Sequence, residues 1–203
     1  MSELTARPGQ AELLDKRAWH NRLEEQVADA HRSGEPFSSL FIDINNFKDV
    51  NDSMGHLVGD EIIEEVEGVV GQVTKDYLVG GRIGGDEFAI SGSIDEFSAR
   101  EIKQKLLVAF AVFLEHPKNA KLKELGMGLA IGNASLKPGM SASELLKEAD
   151  EAMYEHKLDQ MPDLTELQLT TLSEARIALE GVGLRLRDVR KYEKLIQKDD
   201  HKT

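Results

Sequence analysis

The pattern of apolar and polar positions predicts helices that alternate with strands. Apolar residues recur at helical spacing in four segments, whereas shorter and more continuous apolar runs are typical of buried strands. The predicted helices are residues 15–32, 56–73, 96–115 and 141–157, and the predicted strands are residues 37–44, 77–83, 87–91 and 127–134. The last helix begins with a Ser-x-x-Glu capping signal, Ser141 to Glu144.

The order of these elements, α-β-α-β-β-α-β-α, indicates the fold class. The glycine pair Gly84-Gly85 joins two consecutive strands and predicts a hairpin. A hairpin within helix–strand alternation favours an α/β (α+β) fold, in which helices cover a central, mainly antiparallel sheet, over a doubly wound parallel sheet. A chain of 203 residues is long enough for one such domain and an appendage.

Composition narrows the classes of partner. The chain has no cysteine, so a metal ion would be held by oxygen or histidine. A net charge of -12 argues against nucleic acid as a partner, because phosphate binding needs clustered Lys and Arg. No apolar run approaches the roughly 20 residues that cross a bilayer, and the first residues do not resemble a secretory signal. We therefore expect a soluble, cytoplasmic protein without a membrane partner.

Three carboxylates are placed where they could meet. Asp43 ends a predicted strand, and Asp86 and Glu87 follow the glycine pair of the predicted hairpin. Carboxylates that converge in this way bind hard divalent cations, and Mg²⁺ is the simplest choice. Any one of these residues could equally be a solvated turn residue or a helix cap. The interpretation therefore depends on the two segments that contain them.

Those two segments carry a family resemblance. Residues 82–88 read R-I-G-G-D-E-F, and residues 43–60 match D-x-D-x-F-K-x-x-N-D-x-x-G-H-x-x-G-D everywhere except Asn45, where aspartate is usual. Residues 149–157 are similar to the A-D-x-A-x-Y-x-x-K pattern that closes the same domain. The chain thus resembles the GGDEF family of diguanylate cyclases over roughly residues 12–158.

The resemblance implies a domain organisation and a reaction. It implies an N-terminal extension at 1–11, a GGDEF catalytic domain at 12–161 with a palm-like sheet similar to nucleotide cyclases and polymerases, and a C-terminal helical extension at 162–203. The implied reaction condenses two GTP molecules into cyclic di-GMP and pyrophosphate across a transient or stable homodimer. Each 3′-hydroxyl would attack the α-phosphate of the other GTP with the assistance of two metal ions.

The resemblance also implies the metal ligands and the residues that handle the reacting groups. Asp43, Asp86 and the Ile44 carbonyl would hold two Mg²⁺ ions, or Mn²⁺ in their place. Lys48 would neutralise the triphosphate. Glu87 would orient a water molecule or assist deprotonation of the 3′-hydroxyl, although it could instead accept a hydrogen bond from a neighbouring residue.

The remaining implied contacts are to the nucleotide. Asn51 and Asp60 would recognise guanine, because a carboxylate accepts from N1–H and the N2 amine, donors that adenine does not present in that pattern. Backbone N–H groups around Asn46 and Phe47 would cradle phosphate oxygens. Further substrate contacts are implied for Lys157 and for the glycine pair Gly84 and Gly85, where a tight turn and a close nucleotide would leave no room for a Cβ.

Two departures from the family pattern bear on regulation and turnover. The R-x-x-D product-binding site of many members is replaced by Lys75 and Leu78, so we expect no product inhibition by that route. The usual G-R-N after Lys157 is replaced by residues 160–162, Gln-Met-Pro, which removes an arginine expected near the triphosphate. A catalytically weak or silent module that binds GTP or cyclic di-GMP is therefore an alternative, and an interaction domain without ligand is a third.

The C-terminal segment has its own apolar pattern. Residues 172–196 carry apolar side chains at a largely 3-4 spacing, which is typical of a dimerising helix. Gly181 and Gly183 would each cost such a helix about 1 kcal/mol relative to alanine. Two helices folded against the domain are the alternative.

Overall fold

The computed structural model describes residues 12–74 and 78–160. In this part of the chain, helices cover both faces of a five-stranded sheet with the order β1-β3-β4-β2-β5. The elements are β1 (Leu14–Asp15), α1 (Lys16–Ser33), β2 (Ser38–Asn45), α2 (Phe47–Met54), α3 (His56–Val73), β3 (Leu78–Arg82), β4 (Glu87–Gly92), α4 (Glu96–Glu115), α5 (Ala120–Glu124), β5 (Gly128–Ser135) and α6 (Ala142–Asp159). A short 3-10 turn, Pro117–Asn119, precedes α5.

The sheet is mainly antiparallel, as predicted. Strands β3 and β4 form the expected hairpin, and β2 pairs antiparallel with both β4 and β5. The one parallel pair joins the two-residue strand β1 to β3. The α+β fold class is therefore confirmed.

Strand β2 runs between β4 and β5, and its side chains alternate between two apolar clusters. Leu40, Ile42 and Ile44 belong to the cluster that includes the buried faces of α3 and α4. Phe41 belongs to the cluster that includes the buried faces of α1 and α6. Because successive side chains of a strand point to opposite faces, Asp43 lies on the α1 and α6 face.

Helix α6 is held by contacts near both of its ends. At its start, the Glu144 carboxylate accepts hydrogen bonds from the Ser141 backbone N–H at 2.8 Å and hydroxyl at 2.7 Å, which lower the pKa of Glu144. Near its end, His156 Nδ1 accepts a hydrogen bond from the Ile131 N–H of β5 at 3.1 Å. Between these points a Cβ on Gly132 would lie under 3.0 Å from α6 backbone atoms. The helix therefore approaches β5 as closely as its backbone allows.

Short elements account for the differences from the sequence prediction. The segment after the first predicted strand, for which no element was predicted, contains helix α2, in which Val50 is the one buried residue. Strand β1 has two residues and α5 has five. Elements of this length show too few apolar positions for a periodicity to be recognised.

Some predictions fall on residues outside the described part of the chain. They include the extensions at 1–11 and 162–203, with the proposed tail helices, and the start of the second predicted strand at Tyr77. Among the described helices, none combines the length and the apolar character needed to cross a membrane.

We predict that Gly132→Ala destabilises the protein by about 1–3 kcal/mol, because the new methyl group must push α6 away from β5. The melting temperature should fall by about 2–4 °C for each kcal/mol lost. Gly128→Ala is the matched control on the same strand, since its Cβ would meet Asn45 Nδ2 at an ordinary 3.7 Å. Equal thermal unfolding of the two variants would contradict the close docking of α6.

Candidate active site

The end of β2 brings two carboxylates to one face of the sheet. Asp43 lies directly opposite Glu87 of β4 in the antiparallel register, and opposite Ala130 of β5 on its other side. Directly opposed residues share a face, with Cβ atoms about 4.5–5.5 Å apart. Asp43 and Glu87 therefore add their negative charges at one place.

A lysine from α6 lies at this place. The Lys157 ammonium forms an ion pair with Asp43 Oδ1, and the two side chains are only 15% and 13% exposed. A carboxylate this well covered is unfavourable unless a cation accompanies it. The lysine therefore serves as a stand-in cation at Asp43, and its presence indicates that the site suits positive charge.

The donor set is consistent with Mg²⁺ rather than with an all-protein metal cage. Within residues 12–74 and 78–160, no three His, Cys, Asp or Glu side chains group closely enough to hold a metal ion. Mg²⁺ typically takes only one or two carboxylates and completes its shell with substrate phosphates and water. Asp43, with a neighbouring carboxylate, fits that mode of binding. Asn45, where the family pattern has aspartate, makes this strand end less negative by one charge.

The glycine turn, residues 83–86, is tied to the end of β2. The Ile44 N–H donates to the Asp86 carbonyl at 3.1 Å, which brings the two predicted metal-binding positions into backbone contact. Arg82 Nη2 donates to the Gly85 carbonyl at 2.7 Å, and Nη1 of the same residue pairs with Glu67 of α3 at 3.4 Å. The Asp86 carboxylate has no partner among the described residues. The turn is thus fixed while this carboxylate stays available.

Of the two reasons that the sequence suggested for the turn glycines, a tight turn and a close nucleotide, the structure bears on the first. Neither has a φ in the left-handed region, so a tight turn does not demand them. A Cβ on Gly84 would collide with the Glu87 side chain, whereas a Cβ on Gly85 would meet no atom within 4 Å. The turn-strain explanation is therefore wrong. Gly84 makes room for Glu87, and Gly85 borders open space.

The start of α2 presents backbone donors without a side-chain cap. Asn46 adopts a left-handed conformation at the N-cap, and its Nδ2 donates to the Leu125 and Gly126 carbonyls at 3.0 and 2.9 Å instead of capping the helix. Phe47 is half-buried against the core. Lys48 is exposed and has no ion-pair partner in the described part of the chain. Helix N–H groups beside a free ammonium suit an anion.

Helix α3 places Gly59, the neighbour of Asp60 in sequence, directly against Asn51 of α2. A Cβ on Gly59 would lie under 3.0 Å from Asn51 Oδ1, so α3 approaches this amide as closely as a glycine allows. Asn51 Oδ1 is buried and unpartnered within the described residues, an uncommon state for a polar atom. Asp60 is exposed and belongs to the second turn of α3, beyond the turn where the helix dipole favours an acid. Helix capping therefore does not account for Asp60.

The structure also identifies positions that the sequence analysis missed. Arg82 stabilises the glycine turn, and its position just before the glycine pair was a usable signal. His156 anchors α6 through a contact with β5 that no spacing rule predicts.

At the expected product-binding position, Leu78 is buried with 6% exposure and offers no acceptor. Its companion Lys75 lies outside the described residues.

Comparison of the sequence with known proteins shows which family the chain is similar to. Residues 10–162 match the family model described as "Diguanylate cyclase, GGDEF domain". The diguanylate cyclase DosC of Escherichia coli strain K12 is 33% identical over 145 residues, which are 70% of this chain and 31% of DosC. The chain therefore spans about a third of the length of this curated relative.

Solved structures share the fold. The active GGEEF domain of a diguanylate cyclase from Vibrio cholerae is 29% identical and aligns with a TM-score of 0.64, covering 73% of this chain and 93% of that one. The GGDEF domain of DgcB from Caulobacter crescentus, solved with c-di-GMP, aligns with a TM-score of 0.63 at 24% identity, covering 78% of this chain and 93% of that one. The second likeness bears on the fold alone. The family model matches more than half of this chain, and the chain therefore belongs to the GGDEF family of diguanylate cyclases.

Proposed function

We propose that this protein is an active diguanylate cyclase that condenses two GTP molecules into cyclic di-GMP and two pyrophosphates. The observation that carries the proposal is the meeting of Asp43, Glu87 and the glycine turn at one end of the sheet, beside the uncapped start of α2. This arrangement offers a cation site next to an anion site, as a metal-bound triphosphate requires. The curated name of DosC, a diguanylate cyclase, adds support.

Asp43, Asp86 and the Ile44 carbonyl would hold the metal ions, with phosphate oxygens and water as the other ligands. Mg²⁺ bound there would stabilise negative charge on the α-phosphate and on the departing pyrophosphate. The exposed Lys48 and the first N–H groups of α2, after Asn46, would bind the triphosphate chain. These groups position the nucleotide and neutralise its charge.

Each chemical step forms one phosphodiester bond. The 3′-hydroxyl oxygen of one GTP attacks the α-phosphorus of the other, the bond to the β-phosphate oxygen breaks, and pyrophosphate leaves. The hydroxyl proton passes to a base, and Glu87, directly opposite Asp43 in the strand register, is our candidate for it. A second, reciprocal step closes the ring. Because each domain holds one GTP, two copies of the chain must meet as a homodimer.

Guanine recognition is proposed for the α2–α3 pair. The Asp60 carboxylate would accept from guanine N1–H and N2, and the Asn51 amide would complete the contact. Adenine lacks that donor pattern, so GTP should be preferred over ATP. Asn51 Oδ1 is buried and has no hydrogen-bond partner in the part of the chain that the structure describes, which supports a role beyond helix packing.

A second candidate is a weak or silent module that binds GTP or cyclic di-GMP as an effector. It is favoured by residues 160–162, which replace the family's G-R-N and remove an arginine near the triphosphate. Incubation with GTP and Mg²⁺, followed by chromatography of the nucleotides, separates the two. Cyclic di-GMP is expected, whereas bound but unconsumed GTP would favour the effector module.

We predict that Asp86→Asn reduces cyclic di-GMP synthesis by at least about a hundredfold, since it removes a charged ligand from the metal site. Its melting temperature should stay close to that of the wild type, because the backbone contact with Ile44 is unchanged. Asp29→Asn, at an exposed position of α1, is the control and should keep normal turnover. Comparable initial rates for the Asp86 variant and the wild type would refute the metal assignment.

For Asp60→Ala we predict weaker GTP binding and a preference for GTP over ATP that falls by about tenfold or more, because guanine loses its acceptor. Glu61→Ala is the matched control, an exposed acid at the next position of α3. Competition of ATP against labelled GTP measures the preference. An unchanged ratio for Asp60→Ala would show that guanine is recognised elsewhere.

The two turn glycines should respond differently to alanine. Gly84→Ala forces the Glu87 side chain to move and should cost about 1–3 kcal/mol of stability. Gly85→Ala should leave the melting temperature unchanged or slightly raised, yet weaken GTP binding if the open space beside it receives the nucleotide. Thermal unfolding and GTP titration of both variants test this. Normal GTP binding by Gly85→Ala would place the nucleotide away from the turn.

A further inference from the structure

The ion pair between Lys157 and Asp43 links the last turns of α6 to the end of β2. Both side chains are largely covered, at 15% and 13% exposure. The neighbouring His156 fixes this end of α6 through its hydrogen bond with the Ile131 N–H, and Gly132 allows the helix to lie directly against β5. Lys157 is therefore held at Asp43 by the packing of its helix and not by chance contact on a solvated surface.

This ion pair occupies the carboxylate that a divalent cation needs. One Asp43 oxygen cannot contact an ammonium and a metal ion with full strength at once, so the two cations compete for it. We infer that Lys157 is a built-in counter-ion that neutralises Asp43 and Glu87 before substrate arrives, and that it is exchanged for the divalent cation when a nucleotide binds. The inference rests on the proposed function only for the identity of that nucleotide.

The exchange needs a new partner for the displaced ammonium, and a triphosphate supplies one. A lysine side chain carries its compact charge on a flexible four-carbon stem. The ammonium can therefore leave Asp43 for a nearby phosphate without a movement of α6. Charge-assisted hydrogen bonds to phosphate replace the one to the carboxylate. Lys48 differs in this respect, because it is exposed and has no ion pair to give up among the described residues.

The exchange predicts that Lys157 has opposite effects on the affinity of two binding reactions. For a divalent cation alone, Lys157 is a competitor and should weaken binding. For the cation together with a nucleotide, the same residue becomes a ligand of the phosphates and should strengthen binding. A lysine that merely stabilised the position of α6 would strengthen both reactions.

The test measures Mn²⁺ binding by the loss of the free-ion electron paramagnetic resonance signal, first without nucleotide and then with a non-hydrolysable GTP analogue. The full chain is compared with Lys157→Met and with Lys147→Met, an exposed lysine on the same helix. Lys157→Met should bind Mn²⁺ alone on the order of tenfold more tightly, equivalent to about 1.4 kcal/mol. With the analogue, the same variant should bind more weakly than the wild type. Lys147→Met should match the wild type in both.

Thermal unfolding gives a readout independent of turnover. Lys157→Met removes the cation that pairs with the largely covered Asp43 carboxylate, so its melting temperature in metal-free buffer should be lower than that of the wild type. Added Mn²⁺ should raise the melting temperature of the variant more than that of the wild type. If the methionine variant does not fold, Lys157→Gln keeps a hydrogen-bond donor without the charge and should show the same direction of change.

Mn²⁺ binding by Lys157→Met that is equal to or weaker than that of the wild type would overturn the inference. So would enhanced binding that persists after Asp43→Asn is added, because the competition is assigned to that carboxylate. A chain that shows the enhancement but makes no cyclic di-GMP would keep the exchange and refute the cyclase proposal. Synthesis of cyclic di-GMP by the wild type, without enhanced Mn²⁺ binding by Lys157→Met, would support the cyclase proposal and refute the exchange.

Discussion

The antiparallel register of β2 between β4 and β5 is the constraint on which the rest of the site depends. Strand β2 is buried on both faces until Asp43, whose opposite neighbour in β4 is Glu87. Two acids at the end of a buried strand create a negative site that only a cation can neutralise. The bond from the Ile44 N–H to the Asp86 carbonyl then brings the glycine turn to the same place. Stability of the strand and assembly of the site therefore follow from one pairing.

The sequence predicted the long elements, because their apolar periodicity and caps are strong local signals. Helix α4 was predicted with its observed bounds, Glu96–Glu115, and the Ser141–Glu144 capping box forms as expected. Helix α2 was missed because eight residues with one buried apolar position carry no visible period. The contact of Lys157 with Asp43 spans more than a hundred residues of sequence, and no spacing rule predicts such a pair.

For the turn glycines, the conformational cause inferred from the sequence differs from the packing that the structure shows. A tight turn was one of the two explanations for Gly84 and Gly85, but their φ angles are not left-handed. The steric demand at Gly84 comes from the Glu87 side chain, a neighbour that only the folded turn reveals. The sequence analysis assigned no packing role to Gly59 or Gly132. In the structure, α3 lies against Asn51 at Gly59, and α6 lies against β5 at Gly132. Such requirements depend on tertiary packing and leave no local pattern.

The central claim is that one domain holds one GTP and that two copies must meet to complete a two-fold symmetric product. The most direct test is the specific activity of cyclic di-GMP synthesis across a dilution series of the full chain, with sedimentation recorded over the same range. Activity per mole of protein should fall in the range where sedimentation shows dissociation into monomers. Constant specific activity from a chain that sediments only as a monomer would contradict it.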